Sequence, residues 1–241
     1  MSSSDKQIAA GSGKRPANKR ELDAFLSKVA AMPAVATGGN SGRLLFALDA
    51  TASREASWEQ AKALQAEMFA CAQSLGGLHM QLCYFRGFMD FYRSPWCHES
   101  SGLLQQMQGI QCQAGITQLE RLLRHALSEN KQKKVQALVF VGDAVEENLD
   151  VLAHLAGQLG LFNVPLFLFQ EGADPVAEHA LRELARLSGG AWSRFDSASV
   201  GQLKDLLRAV AVYAAGGLKA LTDFSQTAHP AVKLLGRQLK A

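Results

Sequence analysis

The chain has 241 residues, 48% of them hydrophobic and 20% charged, with a formal net charge of +3. That is the composition of an ordinary globular protein, long enough for one large α/β domain with a sizeable core. The basic excess sits largely at the two ends, in Lys6, Lys14, Arg15, Lys19 and Arg20 and in Lys219, Lys233, Arg237 and Lys240, which argues against a nucleic-acid partner. No apolar run reaches the ~20 residues of a membrane span.

Residues 1–20 are polar, small and basic, and their composition predicts a disordered tail. The segment 21–41 reads as a short amphipathic helix (Leu22, Phe25, Val29 and Met32 at helical spacing) followed by a linker. Leu44–Leu48 is an apolar run without alternation, as expected of a strand covered on both faces. A helix is predicted over Ser57–Leu75, stopped by Gly76-Gly77. His79–Phe85 and Phe88–Tyr92 read as two strands of a hairpin turned at Arg86-Gly87, which makes one of them an antiparallel edge. A short helix near 100–107, a helix over Gln118–Asn130 and a buried strand over 135–143 follow. Then come a helix (Leu149–Leu159), a strand (Val164–Phe169), a helix (Pro175–Leu187, with Pro175 in its first turn), a strand (Ala191–Phe195) and a helix (Ser199–Ala215). This alternation predicts a single α/β domain over 42–216. Its expected form is a three-layer, Rossmann-like, doubly wound, mostly parallel six-stranded sheet with one antiparallel edge strand, followed by a C-terminal tail over 217–241.

Cys71, Cys83, Cys97 and Cys112 form no CxxC pair, so a zinc ribbon fails on ligand spacing, and Cys71 and Cys83 read as buried small hydrophobes. No apolar leader core is visible in the first twenty residues, so the expected location is the cytoplasm.

In a doubly wound sheet, ligands bind outside the carboxyl ends of the strands. The first strand ends in Asp49-Ala50-Thr51-Ala52-Ser53, the run 135–143 ends in Gly142-Asp143, and Gly115-Ile116-Thr117 opens a helix, with Gly115 expected to give the backbone freedom to turn. Together these supply two carboxylates and three hydroxyls. All are hard oxygen donors, which suit magnesium or manganese rather than zinc or copper.

Asp-x-Thr-x-Ser after a first strand, Gly-x-Thr before a later helix and Gly-Asp closing a buried strand resemble the von Willebrand factor A (VWA) domain, over roughly residues 42–215. The resemblance implies a metal-ion-dependent adhesion site. Thr51, Ser53 and Thr117 would touch the ion through their hydroxyls, while Asp49 and Asp143 would hold it directly or through water. Thr51 stands where the commonest form has serine and keeps the hydroxyl. The implied function is a non-enzymatic module that binds an Asp or Glu of a protein partner through Mg2+ or Mn2+. Bacterial and intracellular members of the family act as adaptors or assembly factors, often beside ATPases or chaperones. Singly, the same residues read more simply: Asp49, Ser53, Ser57 or Thr117 as helix caps, and Glu146 and Glu147 as acids near a helix N-terminus. Trp96 is a candidate interaction anchor or a packing residue, and Arg54 and Arg86 read by default as solvated. The alternative function is a magnesium-dependent phosphate-ester hydrolase using Asp49, since Asp-x-Thr also resembles the nucleophile strand of haloacid dehalogenase-type enzymes. Those enzymes want a second aspartate where this chain has Thr51. Neither GxGxxG nor GxxxxGK[ST] is present, which disfavours dinucleotide binding and nucleotide hydrolysis.

Overall fold

Burial on both faces dictates the centre of the molecule. β1 (Gly42–Asp49) is buried at every position, which only a strand covered above and below sustains. The structure, a computed structural model, describes residues 42–59, 78–98, 100–195 and 209–214. The tail expected over 1–20, the helix and linker over 21–41, most of the helices expected over 57–75 and 199–215, and the tail over 217–241 lie outside the described residues.

β1 pairs in parallel with β2 (Leu78–Arg86) on one side and with β4 (Ala137–Gly142) on the other. β4 continues to β5 (Leu166–Glu171) and β5 to β6 (Ala191–Phe195), again in parallel. β3 (Asp90–Arg93) runs antiparallel beside β2, so the sheet order is β3-β2-β1-β4-β5-β6. The expected sheet, with its antiparallel edge, is the observed one. The hairpin differs in detail: β3 starts at Asp90 rather than Phe88, because Gly87 turns with φ 58° and Phe88 and Met89 belong to the turn.

Between the strands run α1 (Ser100–Gln108), α2 (Leu119–Gln132), α3 (Leu149–Leu161) and α4 (Pro175–Leu187). The apolar stripes of α2, α3 and α4, with Leu122, Leu123, Leu152, Leu155, Leu181 and Leu184, close over Leu45, Ala47, Leu138 and Phe140 in one core cluster. On the opposite face, Tyr213 of the helical stretch 209–214 meets Phe167 edge-on with ring centroids 6.0 Å apart. Among the described residues no helix is long and apolar enough to cross a membrane.

The winding direction reverses at β1, where the sheet continues to β2 on one side and β4 on the other. The carboxyl ends of β1 and β4 therefore flank the crevice where such sheets bind ligands. The segment before α2 enters this edge as a wedge. Gln113 donates to the Ala50 carbonyl (3.0 Å), Gly87 donates to the Gln113 carbonyl (3.4 Å) and Ile116 donates to the Gly87 carbonyl (3.2 Å). Gly115 serves this contact through its lack of a side chain; its φ is not positive, so the expected turning freedom is not its use. A Cβ there would stand 1.9 Å from the Gly87 carbonyl oxygen. Gly115→Ala is accordingly expected to destabilise the chain by roughly 2 kcal/mol, as overpacking against immobile backbone does. Urea denaturation of the two proteins checks this, and unchanged stability would mean that the wedge does not hold the strand ends together.

Candidate functional site

Asp49 ends β1 completely buried. Its Oδ1 accepts from the Thr51 backbone N–H at 2.8 Å, which folds the chain sharply off the strand. Its Oδ2 is buried and has no hydrogen-bond partner among the described residues. Thr51 starts a short 3-10 turn (Ala52–Ser57) from an extended backbone, yet its side chain makes no capping bond. The Thr51 hydroxyl instead lies 3.1 Å from that of Ser53. Thr51 is buried and Ser53 exposed.

Asp143 follows β4 directly. Its Oδ1, like the Asp49 Oδ2, is buried without a partner among the described residues. Gly142 allows this strand end to approach β1: a Cβ there would lie 2.4 Å from the Phe140 ring and 3.2 Å from the Asp49 Cβ. The two carboxylates are near enough to interact. Burial pushes the Asp49 pKa from its ordinary 3.8 up to about 6; hydrogen bonds from Thr51 offset part of this, while Asp143 adds to the rise.

Thr117, buried, is tied to the loop after Asp143 in both directions. Its backbone N–H donates to Glu146 Oε2 (2.8 Å), and the Glu146 N–H donates to the Thr117 hydroxyl oxygen (2.9 Å). The Thr117 hydroxyl gives its proton to Glu147 Oε2. Glu147 Oε1 accepts from the N–H of Glu120 in the first turn of α2 (3.2 Å). Glu146 and Glu147 thus serve at a helix N-terminus, as expected of acids there, but at that of α2. The start of α3 is capped by Asn148, which accepts from Asp150 and Val151. Thr117 itself is not the N-cap of α2. That position is Gln118, whose side chain makes no cap bond, so Glu147 fills the role from outside. With its proton directed to Glu147 and one lone pair facing Glu146, the Thr117 oxygen keeps a second lone pair.

Asp49, Thr51, Ser53, Thr117 and Asp143 therefore sit on three loops stitched together at one edge. Thr51 is bridged to Gln113 of the Thr117 loop and Thr117 is bonded to the Asp143 loop, while Gly142 passes close to Asp49. Among the described residues, no three His, Cys, Asp or Glu side chains group as a metal cluster. What gathers is a mixed set of carboxylates and hydroxyls, with two orphaned anionic oxygens, and it fits a hard divalent cation.

Arg54, expected to be solvated, is 1% exposed. Its Nη1 donates to the carbonyls of Asp49 (3.2 Å) and Val141 (3.0 Å), and its Nε and Nη2 meet Glu171 Oε2 at 3.0 Å. One guanidinium thereby joins the ends of β1, β4 and β5 beneath the site. Arg86 is half-buried and occupied by Asp90 (2.7 Å) and the Gln111 carbonyl (3.1 Å). Trp96 lies at the opposite end of the sheet from the expected metal face. It stacks under Arg43 at the start of β1 (3.7 Å from guanidinium carbon to ring centroid) and donates to Glu129 at 2.7 Å, so it is a packing residue.

No protein-family model matches the sequence, and no curated protein is similar to it in sequence. Similarity appears in solved structures. The SpRpn10 VWA domain superposes with a TM-score of 0.56 at 15% identity, over 69% of this chain and 94% of that one. Here the fold is decided. The chain has the von Willebrand factor A fold. Proximal thread matrix protein 1 from the mussel byssus, described with a zinc-occupied adhesion motif, has a TM-score of 0.57 at 12% identity over 71% of this chain and 46% of its own. The manganese-loaded TRAP protein of Plasmodium vivax has a TM-score of 0.53 at 14% identity over 70% and 74%. On this VWA frame the buried arginine and the raised Asp49 have separate, measurable consequences.

Arg54→Met is expected to cost on the order of 3 kcal/mol, because it removes the buried guanidinium's bonds to Glu171 and to two strand-end carbonyls. A loss below 1 kcal/mol in urea denaturation would show that the guanidinium does not brace the edge. The raised Asp49 pKa has a definite sign. The folded chain holds a proton that the unfolded chain releases near pH 4, so this contribution to stability is complete below that pH and is lost as pH rises through about 6. In chelator, Asp49→Asn is expected to flatten that dependence and to be more stable than the parent at pH 7, by roughly 3 kcal/mol at most. Denaturation at pH 4 and pH 7 measures it.

Proposed function

We propose that Asp49, Thr51, Ser53, Thr117 and Asp143 form a metal-ion-dependent adhesion site holding Mg2+ or Mn2+, and that the ion captures an Asp or Glu carboxylate of a protein partner. The observation that carries this reading is the pair of buried, unpartnered oxygens, Asp49 Oδ2 and Asp143 Oδ1, at adjacent strand ends. Burying an oxygen of each of two neighbouring carboxylates is costly unless a positive charge joins them. Among the described residues, Arg54 offsets the Asp49 charge in part but places its hydrogen bonds on strand-end carbonyls and Glu171, and Arg86 faces Asp90. The fold neighbours described with zinc or manganese support a divalent ion in this position.

When bound, the ion would supply Lewis acidity toward an outside anion. This chain's residues set how strong that pull is. Three neutral hydroxyls among the donors leave more of the cation's charge uncompensated than an all-carboxylate site would. Glu147, by accepting the Thr117 hydroxyl's hydrogen bond, leaves an oxygen lone pair rather than the hydroxyl hydrogen turned outward. We further propose an adaptor or assembly role for the chain, in the cytoplasm, with an ATPase or chaperone as the kind of partner. The hydrolase alternative has less support, because Asp49 is fully buried and one of its oxygens is engaged by Thr51, a poor setting for an attacking nucleophile.

Calorimetric titration of Mn2+ and Mg2+ into chelator-stripped protein tests the reading. Wild-type chain is expected to bind one ion. Asp49→Ala, Thr117→Ala and Asp143→Ala are each expected to weaken binding at least about tenfold. Generic phosphate esters should not turn over. Metal-dependent turnover abolished by Asp49→Asn would favour the hydrolase, and no heat of binding at millimolar metal would leave an empty fold.

A further inference from the structure

The edge that carries the site also carries side chains for which the fold has no use. Phe88 is 69% exposed, Met89 77% and Ile116 44%. They are neighbours: the Ile116 N–H donates to the carbonyl of Gly87, and Ile116 directly precedes Thr117. Their backbone is anchored from below. Gln118 Nε2 donates to the carbonyls of Arg86 (3.2 Å) and Asp90 (3.4 Å), and Arg121 Nη1 donates to that of Met89 (2.8 Å). Four carbonyls of the turn and its flanks are thus satisfied by the Thr117 segment and α2, while two adjacent bulky side chains remain in water. Anchoring of this kind keeps an apolar shelf in a fixed place relative to Thr117.

The lateral distance follows from the strand-like ladder. Thr51 is bridged to Gln113, and Gln113 is bonded to Gly87, so the shelf begins two strand spacings, about 10 Å, from Thr51. An extended peptide covers that distance in about three residues. Charge narrows the occupant further. Glu146, Asp150 and Asp174 are exposed on the same edge beside the β4 and β5 ends and disfavour an acidic tract there, while Arg121 borders the shelf itself, so a segment with its acid on the cation and its apolar side chain toward the turn fits best. We propose that Phe88, Met89 and Ile116 form a docking shelf for an extended partner segment that carries one metal-bound Asp or Glu and a bulky aliphatic or aromatic side chain about two to four residues away. The shelf deepens, and rests on, the metal-site reading.

A random peptide library displayed on phage, selected on the full chain in Mn2+ and released with EDTA, tests it. The same selection is run on the double variant Phe88→Ser/Met89→Ser, and Mn2+ affinity and melting temperature are measured for both proteins. Wild-type selection is expected to enrich a single acid with Leu, Ile or Phe at the stated spacing. Synthetic peptides from that pool should bind the double variant about tenfold or more weakly, with metal affinity and melting temperature unchanged. Enrichment of acids without an apolar preference, identical pools from both proteins, or no enrichment over blank beads overturns the shelf. So does sedimentation showing a wild-type dimer that the double variant dissociates, which would give the surface to a second copy of the chain. If Mn2+ binds normally and only the apolar preference is missing, the shelf alone fails. If wild type takes up no Mn2+, the metal reading fails and the shelf with it.

Discussion

Two carboxylate oxygens, Asp49 Oδ2 and Asp143 Oδ1, lie buried at the ends of neighbouring strands with no donor among the described residues, and this unmet demand for positive charge orders the rest of the edge. A buried carboxylate has three ways out: it takes a proton, accepts hydrogen bonds or meets a cation. Asp49 goes part of the way along the first two, with a pKa raised to about 6 and one oxygen bonded to Thr51. Neither route satisfies its other oxygen at neutral pH. Asp143 adds repulsion to desolvation, so the pair is poorly solvated by the protein alone.

Arg54 relieves part of this strain through its charge, and its placement shows why it does not relieve more. The guanidinium is spent on two strand-end carbonyls and on Glu171. It acts as a fastener across β1, β4 and β5, and its charge is largely neutralised by the acid it faces. The site therefore combines a rigid floor with an anionic mouth that is only partly compensated. A floor of this kind limits how far the strand ends can shift, so any ligand that binds there would meet donors already in place. Preorganisation of that sort reduces the cost of binding.

Apolar strands alternating with helices, and the turn at Gly87, made the sheet, its order of elements and its antiparallel edge legible in the sequence. The positions of Asp49, Thr51, Ser53, Thr117 and Asp143 at strand ends and loops of the carboxyl edge were legible as well, because that is where a doubly wound sheet opens. What escaped were partnerships between distant segments. Arg54 stands in a polar turn like any surface arginine; its burial depends on Glu171, 117 residues further on. Glu146 and Glu147 precede α3 in sequence but cap α2, a choice made by how two loops meet in space. Trp96 looked like an anchor because loops near a site invite that reading, whereas its cation partner is at the other end of the sheet. Phe88 and Met89 read as the first residues of a strand because they are apolar; the left-handed turn at Gly87 puts them outside it.

The 113–117 segment links these observations. It is wedged between Ala50 and Gly87, so the same few residues set the position of the Thr117 hydroxyl and of the exposed Phe88–Met89 tip. Glu146 and Glu147 then fix the segment from the side of Asp143. A displacement of this segment would be felt at once by a hydroxyl donor and by the apolar surface beside it. Thr117 is joined through the backbone of Ile116, a few covalent bonds, and then one hydrogen bond to the carbonyl of Gly87. Such short, stiff paths carry displacement because packed backbone has little room to absorb it. The Gly115 contact, where no side chain fits, is the narrowest point on that path. The Thr117 hydroxyl and the Phe88–Met89 tip are held by one stretch of backbone.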